Sequence, residues 1–130
     1  MTLLAEIQAA FPELTAANRD DGAIATALSV GRTKVDTHMC SIGTVLNALG
    51  PASGAALLDS LQSMATTNSA VKWALVMVEA GTLDLGLDST RSMITALVPE
   101  PARSILLNLA VVPDQVSVYD VSKALEGVAL

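Results

Sequence analysis

The sequence predicts an all-α fold, a compact array of about eight short helices in a single domain spanning residues 1–130. Three observations support this prediction. Apolar residues recur at helical spacing along most of the chain, capping residues precede these segments, and glycine or proline follows them. The alternating pattern of a half-buried strand is almost absent. Only residues 32–39 lack a clear period, and we expect an ordered loop or one short extended piece there.

Most predicted helices have a start signal, a stop signal or both. The caps, in chain order, are Thr2, Asp20 or Asp21, Ser41, Ser69, Ser89 and Ser117, and Pro51 opens one further helix. The predicted segments are 3–10, 21–30, 42–49, one that begins at Pro51, 70–80, 90–98, 102–111 and 118–126. Gly31, Gly50 and Gly81 end three of them. Pro12, Pro99 and Pro113 stop three others, because the residue before a proline is pushed out of the helical region.

Two of these helices are apolar nearly all round. Segment 70–80 carries only Lys72 and Glu79 as charges, and 102–111 is similarly aliphatic. A helix of this kind is normally central and covered on several sides. We therefore expect both helices to hold much of the apolar content of the chain.

The two halves of the chain resemble each other at a shift of 48 positions. Identities at this shift include Asp36 with Asp84, Ser41 with Ser89, Pro51 with Pro99 and Ser69 with Ser117. These matches predict an internal repeat, 33–80 and 81–128, formed by two duplicated three-helix units. The alternative is that any helical hairpin needs serine at its starts and proline at its stops.

The composition excludes some classes of protein and disfavours some partners. Hydrophobic residues make up 52% of the chain, charged residues 15% and aromatic residues 2%, and the net charge is −6. This content excludes an intrinsically disordered chain and suggests a partner interface. The negative charge makes nucleic acid an unlikely partner, and no apolar run approaches the length that spans a bilayer, so we expect no membrane association.

Residues with catalytic potential are few. His38 and Cys40 are the only histidine and the only cysteine, whereas a zinc site needs three or four ligands. Ser69 and Lys72 have the S-x-x-K spacing of acylating serine enzymes, but no accompanying motif is present. We therefore expect no metal, no cofactor and no enzymatic activity.

The densest basic patch follows the second predicted helix. Arg32 and Lys34 lie in a glycine-led loop, and Arg19 precedes the same helix. Basic side chains and free amides in such a loop can face an anion. The sequence therefore indicates a partner or phosphate contact at Arg19, Arg32 and Lys34. The alternative is a charged loop that pairs with Asp20, Asp21 or a protein partner.

Several segments resemble a group of small, mostly uncharacterised helical proteins of tailed bacteriophages. The segments that carry the resemblance are 23–35, 42–50, 54–59, 71–75, 83–86 and 113–117. The resemblance implies a phage origin and a virion component. It supplies no catalytic residues.

Taken together, these observations predict a structural or interaction protein of a tailed-phage particle, an accessory component of the head, neck or tail. Such a protein is expected to form a homo-oligomer, to contact other virion proteins and to reside in the virion after assembly in the host cytoplasm. Two alternatives remain at this stage. One is a small phage effector that binds a host protein, and the other is a regulator that contacts nucleic acid through its arginines.

Overall fold

The computed structural model describes residues 2–130, which form eight helices and four short strands. The helices are α1 (Leu3–Ala10), α2 (Asp21–Ser29), α3 (Ile42–Leu49), α4 (Pro51–Ala65), α5 (Ser69–Ala80), α6 (Asp88–Leu97), α7 (Ala102–Asn108) and α8 (Val118–Leu125). The strands are β1 (Thr33–Val35), β2 (Met39–Cys40), β3 (Leu83–Asp84) and β4 (Val111–Pro113). The mostly helical prediction is confirmed, but the fold is not purely all-α.

Capping residues define most helix starts as predicted. The Thr2 hydroxyl accepts from the Ala5 amide at 3.1 Å, and an Asp20 carboxylate oxygen accepts from the Ala23 amide at the same distance. At α3 and α8, Ser41 and Ser117 each form a reciprocal capping box. These bonds satisfy amides that the first turn of a helix leaves without partners.

Two predicted caps and one helix end are wrong. Asn68, and not Ser69, caps α5 by accepting from the amides of Ala70 and Val71. Helix α6 begins at Asp88 without a side-chain cap, so Ser89 lies inside the helix. Helix α7 ends at Asn108, because the chain turns there into β4 and no longer continues to residue 111.

The short strands form two small sheets. β2 pairs antiparallel with β3, with Met39 opposite Asp84 and Cys40 opposite Leu83, and β1 pairs with β4. β1 falls in the segment 32–39, where an extended piece was expected, and β2 begins at its last residue, Met39. Strands of two or three residues are too short to show a period, so their positions depend on partners far along the chain.

The chain forms two compact units, which we call the terminal unit and the central unit. The terminal unit comprises the described residues up to Lys34 together with Pro113–Leu130, and its helices are α1, α2 and α8. Helix α8 packs on α1 and α2. The buried residues of this unit are Ile7, Ile24, Ala25, Val116, Val121 and Leu125.

The central unit comprises Val35–Val112 and contains α3 to α7 with β2 and β3. Helix α4 packs between α3 and α5, and α7 contacts α3 and α6. Its core cluster consists of Cys40, Val45, Leu57, Val78, Leu83, Leu85, Ile94, Val98, Leu106 and Ala110.

The buried faces of the helices do not follow the predicted repeat register. Val45 of α3 and Ile94 of α6 are buried, as are Leu57 of α4 and Leu106 of α7, and each pair is 49 positions apart instead of 48. A shift of one residue turns a helix by about 100°. The third helices of the two segments, α5 and α8, belong to different units. The duplication and the single-domain organisation stay predictions.

Candidate interaction surface

The side chain of Arg32 lies between two carboxylates of the terminal unit. Its Nη1 donates to Glu6 at 2.8 Å and its Nε donates to Asp114 at 2.9 Å. The Asp114 amide also donates to the Arg32 carbonyl at 2.9 Å. The bonds to Glu6 and then to Asp114 raise the pKa of Arg32. Two carboxylates therefore compensate the guanidinium charge within the unit, which weakens its attraction for a phosphate.

Arg19 is engaged in the same way by Asp21. Its Nε and Nη2 donate to the two carboxylate oxygens at 2.7 and 2.9 Å. The hydroxyl of Ser122 on α8 donates to the same carboxylate at 2.6 Å. The bond from Arg19 and the bond from Ser122 together hold the pKa of Asp21 at about 2. Arg19 therefore pairs with Asp21, whereas Arg32 of the predicted charged loop pairs with Glu6 and Asp114 and not with Asp20 or Asp21.

The three predicted cations lie before and after α2. Arg19 precedes α2 and Arg32 follows it, and this helix of nine residues is about 13 Å long. Lys34 is exposed on β1, and the ion pairs among the described residues do not include it. The partner or phosphate contact at these residues stays a prediction.

The segment that contains His38 and Cys40 is organised around Asp84. The Asp84 carboxylate accepts from the His38 amide at 3.1 Å and from the Gly86 amide at 2.8 Å. Cys40 is buried, and burial raises the pKa of its thiol. A thiol in this state is a poor nucleophile and a poor metal ligand. In residues 2–130, no cluster of three or more His, Cys, Asp or Glu side chains could hold a metal ion.

The central unit contains an apolar cavity of about 60 Å³. Aliphatic side chains and the thiol of Cys40 line it, and its other lining residues include Val45, Leu57, Val71, Leu85 and Ile94. Sites for cofactors and drug-sized ligands typically enclose about 300–1,000 Å³ and add a few polar groups that orient the ligand. This cavity is therefore a gap in the packing of the core.

Helix α5 differs most from the prediction made for it. Val71 and Val78 are buried, but the exposed fractions of Trp73, Val76 and Met77 are 60%, 46% and 39%. The helix packs mainly on α4 and β3, both on one side. The prediction of a central helix covered on several sides is wrong, because its apolar residues encircle the helix whereas its neighbours cover one side only.

The exposed residues of α5 form one stripe. Trp73, Val76, Met77 and Ala80 follow the spacing i, i+3, i+4 and i+7, which places them on one face of a helix. Lys72 and Glu79 border this stripe, and Nζ of Lys72 lies 5.2 Å from the centre of the Trp73 ring. We call these six residues the α5 face.

The α5 face has the composition of a protein interface. Tryptophan and methionine are enriched in such interfaces, and buried tryptophan residues often contribute most of the binding energy. Exposed apolar side chains scattered singly are ordinary, but three at helical spacing form a contiguous strip. The strip can therefore bind an apolar face of another protein.

A second group of exposed apolar residues lies in the terminal unit. Val30, Val118 and Tyr119 are exposed beside an open groove of about 480 Å³ between α2 and the start of α8. Within the groove, the Ser29 hydroxyl donates to the Ala25 carbonyl at 2.7 Å and accepts from the Val116 amide at 2.9 Å. The bond to Val116 joins the two walls of the groove.

Comparison with protein families, with curated proteins and with solved structures gives no match to this chain. The resemblance to phage proteins stays a prediction. In the part of the chain that the structure describes, no helix combines the length and the apolar character needed to cross a membrane.

Sequence reasoning missed the exposure of α5, although two signals pointed to it. Lys72 and Glu79 are seven residues apart and so lie on the same side of the helix, which indicates that this side meets water. Tryptophan is also seldom fully buried. Neither signal shows how far the exposed face extends, because that depends on which helices pack against α5.

Proposed function

We propose that this chain is a non-enzymatic interaction protein of a tailed-phage particle, an accessory component of the head, neck or tail that resides in the virion. The observation that supports this proposal is the exposed α5 face. Burial of apolar surface contributes about 25 cal/mol per Å², and Trp73 is the largest exposed apolar side chain on this helix. A neighbouring protein that covers the α5 face would gain this free energy.

The charges of the chain favour a protein partner over a nucleic acid. The net charge is −6, and carboxylates of the terminal unit compensate both Arg19 and Arg32. Nucleic-acid binding needs cations that are available to phosphates. The phage and virion parts of the proposal rest on the sequence resemblance, and the duplication of a three-helix unit remains part of it.

Mass spectrometry of purified particles tests this function. We expect the wild-type chain in particles produced in its presence, and we expect Trp73→Glu to be lost from them. Val30→Glu is the matched control, because Val30 is also an exposed apolar residue but lies outside the α5 face. This control variant should enter particles as the wild type does.

Absence of the wild-type chain from particles would contradict the proposal. If the chain were absent from particles but captured one host protein in a Trp73-dependent manner, it would instead be a small effector that binds the host. If the chain instead formed a salt-sensitive complex with DNA or RNA that Lys34→Glu abolishes, it would be a regulator that contacts nucleic acid.

A further inference from the structure

We propose that the α5 face binds the α5 face of a second copy of this chain, with the two helices antiparallel about a twofold axis. This inference deepens the proposed function, because it names the first partner of the same surface. Its support comes from the charge pattern and the side-chain sizes along α5.

The α5 face is neutral in an acidic protein. Two copies that each carry a net charge of −6 repel one another, so self-association requires a surface that adds no like charges. Lys72 and Glu79 are the only charged residues of α5, and their charges cancel. The same face therefore avoids the repulsion that most acidic surfaces of the chain would create.

The positions of Lys72 and Glu79 specify the direction of the second helix. They lie on the same border of the stripe, near its amino and carboxyl ends respectively. A twofold axis perpendicular to the helices places this border beside the same border of the copy, running in reverse. Lys72 of each helix then lies beside Glu79 of the other, which gives two equivalent ion pairs.

A parallel pair would lose this complementarity. A twofold axis along the helices would place the charged border beside the opposite border, which carries Ala70 and Ala74. Lys72 and Glu79 would then have no oppositely charged partner on the other helix. The charge pattern therefore favours the antiparallel direction.

Side-chain sizes set the register of the antiparallel pair. With the axis between Val76 and Met77, Trp73 lies opposite Ala80 of the copy, so the largest side chain meets the smallest. Val76 then lies opposite Met77. In this register Lys72 and Glu79 are offset by two residues, about 3 Å along the axis, which both side chains can span.

The size of the interface determines its strength. Helix α5 has 12 residues and is about 18 Å long, so a pair of such helices falls below the area of a standard stable complex. We therefore expect a concentration-dependent dimer in solution. In a particle, tethering of neighbouring copies would raise their effective concentration and favour pairing.

Trp73 is the only tryptophan, so its fluorescence reports on the α5 face alone. As the protein concentration rises, we expect the emission to shift to shorter wavelength while the mass rises from 13.3 kDa toward twice that value. Val76→Glu should remove both changes, and Val30→Glu should leave both intact. Circular dichroism should confirm that both variants keep their helix content.

Charge reversal tests the ion pairs. Lys72→Glu or Glu79→Lys alone should weaken dimerisation about tenfold, because each creates two like-charge contacts. The double variant should restore the wild-type affinity, because it exchanges the charges within each pair. A double variant as weak as the single variants would overturn the antiparallel pairing.

Disulfide formation tests the direction directly. Position 76 lies next to the twofold axis. In Val76→Cys, the thiols at this position of the two copies should therefore form a disulfide under mild oxidation. Ser69→Cys lies at one end of α5, where the two copies would be about 22 Å apart in the antiparallel pair, and should not crosslink. Equal crosslinking at both positions would indicate a parallel pair and overturn the inference. Wild type, whose Cys40 is buried, is the control.

The outcomes separate this inference from the proposed function. A chain that stays monomeric at all concentrations, but needs Trp73 to enter particles, would overturn the inference and leave the proposed function intact. A dimer that forms through α5 but is absent from particles would support the inference and contradict the virion role.

Discussion

The terminal and central units are stabilised by different means. The terminal unit has a small core of six buried residues and joins its helices with polar side chains. Arg32 joins Glu6 to Asp114, Ser122 on α8 donates to Asp21, and hydrogen bonds join Ser29 to Val116. The core cluster of the central unit comprises ten buried, almost entirely aliphatic residues.

This difference determines which surface can bind a partner. Ion pairs inside the terminal unit compensate Arg19 and Arg32, which are the cations that the sequence singles out. The central unit has more aliphatic residues than its core contains, and part of the excess forms the exposed stripe on α5. The α5 face, which we propose as the binding surface, is therefore apolar and lies in the central unit.

The largest expected effect comes from the core of the central unit. Leu85 is 1% exposed and lines the cavity, so Leu85→Ala should enlarge the cavity and cost about 3 kcal/mol of unfolding free energy. Leu87→Ala is the matched control, because Leu87 is 51% exposed, and it should change stability by less than about 0.5 kcal/mol. Urea unfolding measures both. Equal effects would show that the core is not where the structure places it.

Substitution of Gly86 tests how closely two backbone segments pack in the central unit. A Cβ at this position would lie 2.4 Å from the Asp36 carbonyl oxygen, so Gly86→Ala should cost about 2 kcal/mol. At Gly43 in α3 the nearest atom would be the Ser41 hydroxyl at 3.6 Å. Gly43→Ala should therefore be neutral or stabilise the fold by up to about 1 kcal/mol. Thermal unfolding of both variants checks this contrast.

Acid should destabilise the terminal unit, because it protonates Asp21 and Asp120. The pKa of Asp21 is about 2 in the folded chain, below its ordinary 3.8, and hydrogen bonds to Ser117 lower the pKa of Asp120. The stability from Asp21 is fully present above about pH 4 and is lost as the pH falls through about 2. Amide NMR spectra should change first in α2 and α8. In Asp21→Asn this acid response should be smaller; an unchanged response would show that Asp21 does not cause it.

The smallest effect is expected at Arg32. Arg32→Gln leaves Glu6 and Asp114 without their cation, which should lower the melting temperature by a few degrees at low salt. Added salt should reduce the difference from wild type, because these side chains are partly exposed. Arg32→Lys keeps the positive charge, so its melting temperature should fall less than that of Arg32→Gln. A fall in melting temperature that does not change with salt would indicate that Arg32 stabilises the unit through packing.

Local signals predicted most of the helices. Thr2, Asp20, Ser41 and Ser117 cap where expected, because a cap depends on bonds to residues only two or three positions away. The cap of α5 was misplaced by one position, since Asn68 competes with the neighbouring Ser69, and α6 begins at Asp88 without the expected side-chain cap. Neighbouring residues of equal suitability leave such a boundary undecided.

Long-range contacts could not be predicted in the same way. The pairing of Cys40 with Leu83 joins residues far apart in sequence, and strands this short carry no pattern. The sequence placed Arg19, Arg32 and Lys34 in one basic patch. The fold alone shows that Arg32 donates hydrogen bonds to Glu6 and Asp114.

The sequence by itself determined the helical character, most helix boundaries and the positions of the apolar residues around α5, because these depend on local bonds and on the helical period. The tertiary structure decided which side of α5 is covered. An apolar residue is buried only if another element packs on it, and α4 and β3 pack on one side of this helix. If other elements packed on all sides, the same 12 residues would form a central helix. In this chain one face of the helix stays exposed, and this is the face that we propose binds a partner.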